Sequence, residues 1–375
     1  MTDDQDASVS RRDVLKQTGV AATALAGVGT APAVAALGER KTTITTLAQR
    51  DEARGTERVS KRWLQQTKRA TRVKEQLMNA HGNSEGVRSI GIVSADRTIG
   101  DLRAEAVSVE VTDPVHAQSI PSSVDGVPVV TSMAGRSEQT SDDCASDDYC
   151  RINPESIYGG LSVTTIHQEG TIGCRVAYNG AYHMLSARHT FIDKDKNGYC
   201  KDSIDVSTWQ RNGTTLGSVA TDFRKHDAAL LRLNDANEDT GYSNGMVNES
   251  GKVVDRVTEN GLKYLNGNDS ETVYKRARAS GAQSGGVEAI QLTNGDCLKN
   301  LPLIEGVVRS STTQQGGDSG SVVYYKEPQP SSTDHLYVVH LATIRRSDTG
   351  WAAGSSANDM YNDQGIWYGG EPYSG

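Results

Sequence analysis

Gly316-Gly317-Asp318-Ser319-Gly320-Ser321 is the stretch on which the reading of this chain turns. A serine between glycines, preceded by an aspartate, suits a nucleophilic hydroxyl in a loop whose main-chain N–H groups must also reach the substrate. Glycine admits positive φ and close backbone approach, so the N–H groups of Gly317 and Ser319 can converge on one oxyanion. Glycine and serine are equally common in plain turns, so partners elsewhere must decide. A serine hydroxyl needs a neighbouring base at neutral pH. The base in turn needs a group that fixes its tautomer and balances its charge.

Two upstream residues fit those roles. His189 follows the apolar run Tyr182-His183-Met184-Leu185-Ser186-Ala187, so it emerges where a strand becomes a loop. Asp227 opens the run Ala228-Ala229-Leu230-Leu231, and a carboxylate at the mouth of a buried strand is costly without a partner. Taken alone, the first is ordinarily a structural histidine and the second a turn residue. Taken with Ser319, they stand in the order His, Asp, Ser, which differs from the two other common triad orders. A Gly-x-Ser-x-Gly elbow fails, because Ser321 occupies the final glycine position.

The surrounding chain reads as all-β. From Gly159 onward, short apolar runs alternate with turn clusters at roughly ten-residue spacing, the pattern of a sandwich or barrel. Examples are Gly173-Cys174-Arg175-Val176-Ala177-Tyr178 and Ser321-Val322-Val323-Tyr324-Tyr325.

Three motifs together resemble the chymotrypsin/trypsin-like serine peptidases, particularly their secreted bacterial branch. They are Ser186-Ala187-Arg188-His189, His226-Asp227-Ala228-Ala229-Leu230-Leu231 and Gly317-Asp318-Ser319-Gly320-Ser321. Val273-Tyr274-Lys275-Arg276 with Gly281 and Gly285-Gly286-Val287 is similar to the strand–Gly–strand element before the family's nucleophile loop. The resemblance spans residues 159–369 and implies two six-stranded antiparallel barrels. It implies Ser319 as nucleophile, His189 as base and Asp227 as its orienter, with Gly317 and Ser319 donating to the oxyanion. The substrate is then a protein or peptide, and no cofactor is required.

Departures from the family pattern concern specificity. The cysteine that usually follows the base is Thr190 here, and a Cys174–Cys200 bridge would staple the same loop from further away. The family's pocket floor lies six residues before the nucleophile, which places Thr313 there and suggests no acidic pocket for Lys or Arg side chains. The pocket-wall strand is expected near Val338-Val339-His340-Leu341-Ala342. His340 either lines that pocket and favours acidic side chains or is a satisfied strand histidine.

The N-terminal third reads as a different kind of chain. Ser10-Arg11-Arg12-Asp13-Val14-Leu15-Lys16 is a twin-arginine signature ahead of an apolar small-residue stretch, so residues 1–35 are expected to be a signal peptide for secretion. The alternative is a signal retained as an anchor. After its removal no stable membrane insertion is expected. Residues 36–132 read as a pro-segment, with a charged helix from Thr42 to Ala80 and a small mixed α+β part. The stretch ending Ile120-Pro121 and Gly126-Val127-Pro128-Val129 resembles the small module often found ahead of secreted protease domains. Residues 133–158 form a polar linker, and 159–375 the peptidase domain.

Charge divides the same way. Residues 41–80 hold ten Lys/Arg against four Asp/Glu, and residues 81–375 hold 25 against 38. A basic stretch ahead of an acidic body can dock on it or be simply a solvated helix face, while the absence of a basic stripe argues against nucleic acid.

Five cysteines in an exported chain read as two disulfides and one leftover, with Cys144 and Cys150 able to close a small loop and Cys174 and Cys200 bracketing His189. Cys297 is then unpaired. Asp193-Lys194-Asp195-Lys196-Asn197-Gly198 matches the first half of a Ca²⁺ loop, so Asp193, Asp195 and Asn197 are candidate ligands of a structural calcium. The plain alternative is an Asx-rich turn. No zinc-type spacing occurs. Against the hydrolase reading stands a peptidase-fold binding or adhesion protein that no longer cleaves, and the complete triad separates the two.

Overall fold

Alternation of apolar and polar residues builds most of this chain into strands, seen in a computed structural model. The structure describes residues 40–49, 51–82, 84, 86–134, 144–150, 156–166, 168–193, 203–211, 213–234, 241–294, 304–329, 333–345 and 349–370. The expected signal peptide, together with Asp195, Asn197, Cys200 and Cys297, lies outside them. The fold is all-β with a few helices, and its strands fall into three sheets.

One eight-stranded sheet holds the base side of the candidate site. Its middle runs Arg175–Tyr178, Ala181–Ala187, Ala228–Leu233, Thr214–Phe223, and its edge ends at Glu169–Thr171. Antiparallel register sets Ala187 opposite Ala228, so His189 and Asp227 leave the sheet at the same end. Beneath it pack Leu161, Val163, Met184, Phe191, Trp209 and Leu231.

The serine side is built from the other two sheets. A nine-stranded sheet runs Gly281–Gly285, Val273–Ala277, Ser321–Glu327, His335–Ala342, Lys252–Val257, Lys41–Gln49, Glu52–Ser60. A second eight-stranded sheet includes Trp351–Ser355, Ile304–Thr313, Val287–Asn294, Val87–Ile99, Leu102–Val111 and Val127–Met133. These sheets are wider than six strands because the N-terminal region adds to both. Lys41–Gln49 pairs antiparallel with Lys252–Val257, with Leu47 opposite Val257. Val87–Ile99 pairs antiparallel with Val287–Asn294, with Val93 opposite Ala289. Leu47 and Ile92 are accordingly buried in one cluster with Val257, Val323 and Val339.

The expected helix over Thr42–Ala80 is half correct. Residues 41–60 form a hairpin of two strands, and the helix runs Lys61–His81. Thr42, Thr43, Ile44 and Thr45 are β-branched and favour the pleated state, whereas the apolar spacing of Trp63, Ala70, Val73 and Leu77 is helical. Ser60 marks the switch: its side chain accepts hydrogen bonds from the Arg62 and Trp63 N–H groups, an N-cap. Ala70, Val73 and Leu77 then pack on Val107, Val109 and Val111. No helix among the described residues is long and apolar enough to cross a membrane.

A second correction concerns the cysteines. Cys144 and Cys150 are bridged. Cys174 is a free, fully buried thiol, so the Cys174–Cys200 bridge is absent. The reason is its setting: Cys174 faces the core beside Leu185, Val322 and Tyr324. Burial pushes its thiol well above the ordinary range.

Candidate active site

His189 sits in the short 3₁₀ turn Arg188–Phe191 that ends the strand Ala181–Ala187. Asp227 ends another such turn, Arg224–His226, with φ 47° and ψ 41°, immediately before Ala228–Leu233. Two contacts join them. The His189 main-chain N–H donates to Asp227 Oδ1 at 2.9 Å, and Nδ1 lies 2.6 Å from Asp227 Oδ2. The Asp227 carbonyl accepts from the Arg188 N–H at 2.8 Å, so backbone and side chain fix one geometry. Both residues are buried, which strengthens the contact electrostatically. Gln168 supports the turn from behind, its amide donating to the His189 and Ile192 carbonyls.

Ser319 stands in the loop between Ile304–Thr313 and Ser321–Glu327, and its Oγ lies 3.5 Å from the Thr343 carbonyl. Gly317 has φ 85° and Gly320 φ 98°, so both need the left-handed freedom that glycine supplies. The loop docks on the base side through Glu169–Thr171. Thr171 N–H donates to the Ser319 carbonyl and Thr171 Oγ1 to the Gly317 carbonyl, each at 2.8 Å. A Cβ on Gly170 would sit 2.8 Å from Thr190 Oγ1 and 3.0 Å from the Ser319 carbonyl oxygen, so one glycine separates the His189 turn from the serine. A Cβ on Gly320 would collide with the Thr171 carbonyl and press on Ser186 Oγ. Glu169–Thr171 thus lies between the turn that carries His189 and the loop that carries Gly317 and Ser319.

What shapes the serine loop is a residue that the sequence reading passed over. Lys275 Nζ lies 2.9 Å from Asp318 Oδ2 and 2.9 Å from Gln314 Oε1, with both charged side chains wholly enclosed. Asp318 Oδ1 accepts from the Ala279 and Ser280 N–H groups, and Oδ2 from Gln315 N–H. Burial by itself would raise the Asp318 carboxyl, but Lys275 and the Ser280 bonds hold it below the ordinary aspartate range. Burial lowers Lys275, and Asp318 opposes that. A signal was available in the sequence. Strand alternation puts Lys275 on the inward face with Val273 and Ala277, and a lysine buried there demands a carboxylate.

The specificity candidates separate. Thr313 is exposed at the end of its strand, opposite Trp351. His340 has no exposed surface, and its Nε2 lies 3.0 Å from Ser310 Oγ, which contacts Thr312 Oγ1 at 2.9 Å. Burial lowers the His340 pKa to about 3, which keeps the ring neutral. Of the calcium candidates only Asp193 is described, and its N–H donates to Asp205 Oδ2 at 2.9 Å. Among the described residues no group of three or more His, Cys, Asp or Glu is arranged to hold a metal.

No protein-family model matches this chain, nor does any curated protein. Solved structures do. A glutamic acid specific serine protease, described as using a novel histidine triad in substrate binding, aligns over 56% of this chain and 100% of its own. That match has 17% identity and a TM-score of 0.38. Thermobifida fusca protease A aligns over 57% of this chain and 100% of its own, with 17% identity and a TM-score of 0.39. Cellulomonas bogoriensis chymotrypsin aligns over 57% and 98%, with 17% identity and a TM-score of 0.37.

Proposed function

We propose that this protein is an exported serine endopeptidase that cleaves peptide bonds through His189, Asp227 and Ser319. The observation that carries the reading is the two-point contact of Asp227 with His189 beside the glycine-flanked serine loop. Because Nδ1 faces the Asp227 carboxylate at 2.6 Å, Nδ1 carries the proton and Nε2 is left as acceptor.

Ser319 Oγ attacks the scissile carbonyl carbon while Nε2 takes the hydroxyl proton. The carbonyl electron pair moves onto oxygen, where the Gly317 and Ser319 N–H groups stabilise it. Collapse breaks the C–N bond, and the His189 imidazolium protonates the leaving amine. His189 then takes a proton from water, which attacks the acyl carbon, and returns it to Ser319 Oγ as the acyl C–O bond breaks and the acid leaves. Asp227 balances the imidazolium charge throughout.

Residues 36–132 act as a pro-segment that docks by sheet extension, a role supported by the Leu47–Val257 and Val93–Ala289 pairings. The twin-arginine motif supports export before maturation. Labelling with a fluorophosphonate probe tests the reading: the wild-type chain is modified and Ser319→Ala is not. Labelling of Ser319→Ala at the wild-type rate would overturn it.

A further inference from the structure

We propose that His226 is a positioning residue, which holds the Asp227 carboxylate in register with the serine-bearing half of the molecule. The inference rests on the triad reading and adds a residue to it.

Asp227 adopts a left-handed backbone conformation, which is costly for a non-glycine residue and persists only where neighbours over-determine it. On its C-terminal side the determinant is plain: Ala228 is fully buried and paired with both Ala187 and Phe223. On its N-terminal side the neighbour is His226, whose ring is almost wholly enclosed.

That ring reaches away from its own sheet. Nδ1 lies 3.2 Å from Ser355 Oγ, and Nε2 lies 3.4 Å from Asp363 Oδ2. Ser355 ends the strand Trp351–Ser355, where it pairs with Val307. Asp363 lies in the helix Ala357–Gln364, whose first turn is capped by Ser356 Oγ accepting from Asp359 N–H. Both contacts therefore belong to the half that also carries Ser319, while Asp227 and His189 belong to the other sheet.

The consequence is geometric. Asp227 fixes His189 within one half, and that alone does not fix the pair relative to Ser319. His226 is joined to Asp227 by one peptide bond and to the opposite half by the Nδ1–Ser355 hydrogen bond, with Asp363 facing Nε2 across 3.4 Å. Through the Ser355 hydrogen bond it thus sets the carboxylate against a frame shared with the nucleophile. Small displacements of a catalytic group cost large factors in rate, so a residue in this place acts on kcat.

The test compares full-length variants by steady-state kinetics, fluorophosphonate labelling and the low-field ¹H resonance of the His189 Nδ1 proton. His226→Ala is expected to lower kcat about tenfold or more, to change KM less than twofold, and to shift or broaden the low-field proton. His226→Asn, which keeps an amide near the Nδ1 position facing Ser355, restores most of the loss. Wild-type kcat together with an unchanged low-field proton in a folded His226→Ala protein would overturn the proposal. A change confined to KM would do the same. If His226→Ala does not fold, Ser355→Ala decides, since it removes one hydroxyl: a fall in kcat supports the tether and an unchanged kcat overturns it. Absence of labelling in the wild-type chain would mark failure of the hydrolase reading instead. The low-field proton, which needs no turnover, would still judge the role of His226.

Discussion

Lys275 and Asp318 form an ion pair with no solvent exposure, Nζ to Oδ2 at 2.9 Å, directly behind the candidate nucleophile Ser319. Taking two charges out of water is expensive, and the remaining bonds from Ala279, Ser280, Gln315 and Gln314 offset the cost by using the other lone pairs and protons. The result is a loop whose shape depends on a lysine 44 positions upstream of the serine in the chain.

Removing one partner leaves the other charged and buried. Lys275→Met is expected to cost about 3–5 kcal/mol of stability and to slow fluorophosphonate labelling of whatever protein remains folded. Urea denaturation with labelling at matched folded fraction measures both. An unchanged labelling rate would show that the pair supports only the core.

The proposed triad members should act as a unit. Ser319→Ala, His189→Ala and the double variant are each expected to reduce kcat by about 10⁴-fold or more, with the double no worse than the worst single. Asp227→Asn, which leaves the shape and alters the tautomer of His189, is expected to lose about 10⁴-fold. Multiplicative losses in the double variant would contradict a shared step.

Gly317→Ala probes the proposed oxyanion donor. The residue sits at φ 85°, and its new Cβ would meet the Arg278 guanidinium, which is ion-paired to Glu169. Turning the N–H away from the oxyanion is expected to lower kcat by about 10²- to 10³-fold while KM changes little. An equal loss in binding of uncharged substrate analogues would point to a blocked cleft instead.

Stability should respond to pH through two buried groups of opposite sense. Burial pushes the Glu105 carboxyl up to about 8, with Lys263 opposing and Glu259 adding to the rise. Between its unfolded value near 4 and about 8, the folded chain holds a proton that the unfolded chain has released, so stability falls as pH rises across that window. His340, lowered by burial to about 3, behaves in the other direction. Between about 3 and its unfolded value near 6.5, the unfolded ring binds a proton that the folded ring refuses, so stability falls as pH drops. The two effects oppose each other where the windows overlap, roughly pH 4.5–6.5. Relative to wild type, Glu105→Gln should gain up to about 1.4 kcal/mol per pH unit from about pH 5 to 8. His340→Gln should gain as pH falls below about 6.5. Urea melts at unit pH intervals check both, and a flat difference for either variant would count against its assignment.

Much of this was legible from residue order. The strand ending before His189, the strand opening at Asp227 and the glycines around Ser319 follow from local alternation and turn chemistry, which act over a few residues. The hairpin at 41–60 was misread because its charged strand Glu52–Ser60 is mostly exposed and carries little alternation, while Lys41–Gln49 is decided by a partner about two hundred residues away. Cys174 was misread for a related reason: its spacing from His189 says nothing of which face of the strand it occupies. Lys275 was visible as a residue but not as a partner.

The sequence by itself singled out Gly316–Ser321 and the candidates His189 and Asp227, because backbone freedom, strand ends and proton-transfer groups are local properties. Only the tertiary structure decided that Asp318 is held by Lys275, that His226 reaches Ser355 and Asp363, and that the N-terminal strands extend two distant sheets. Those are pairings between residues far apart in the chain. They exist only once burial has made an unpartnered charge or an unpaired strand edge too costly to leave.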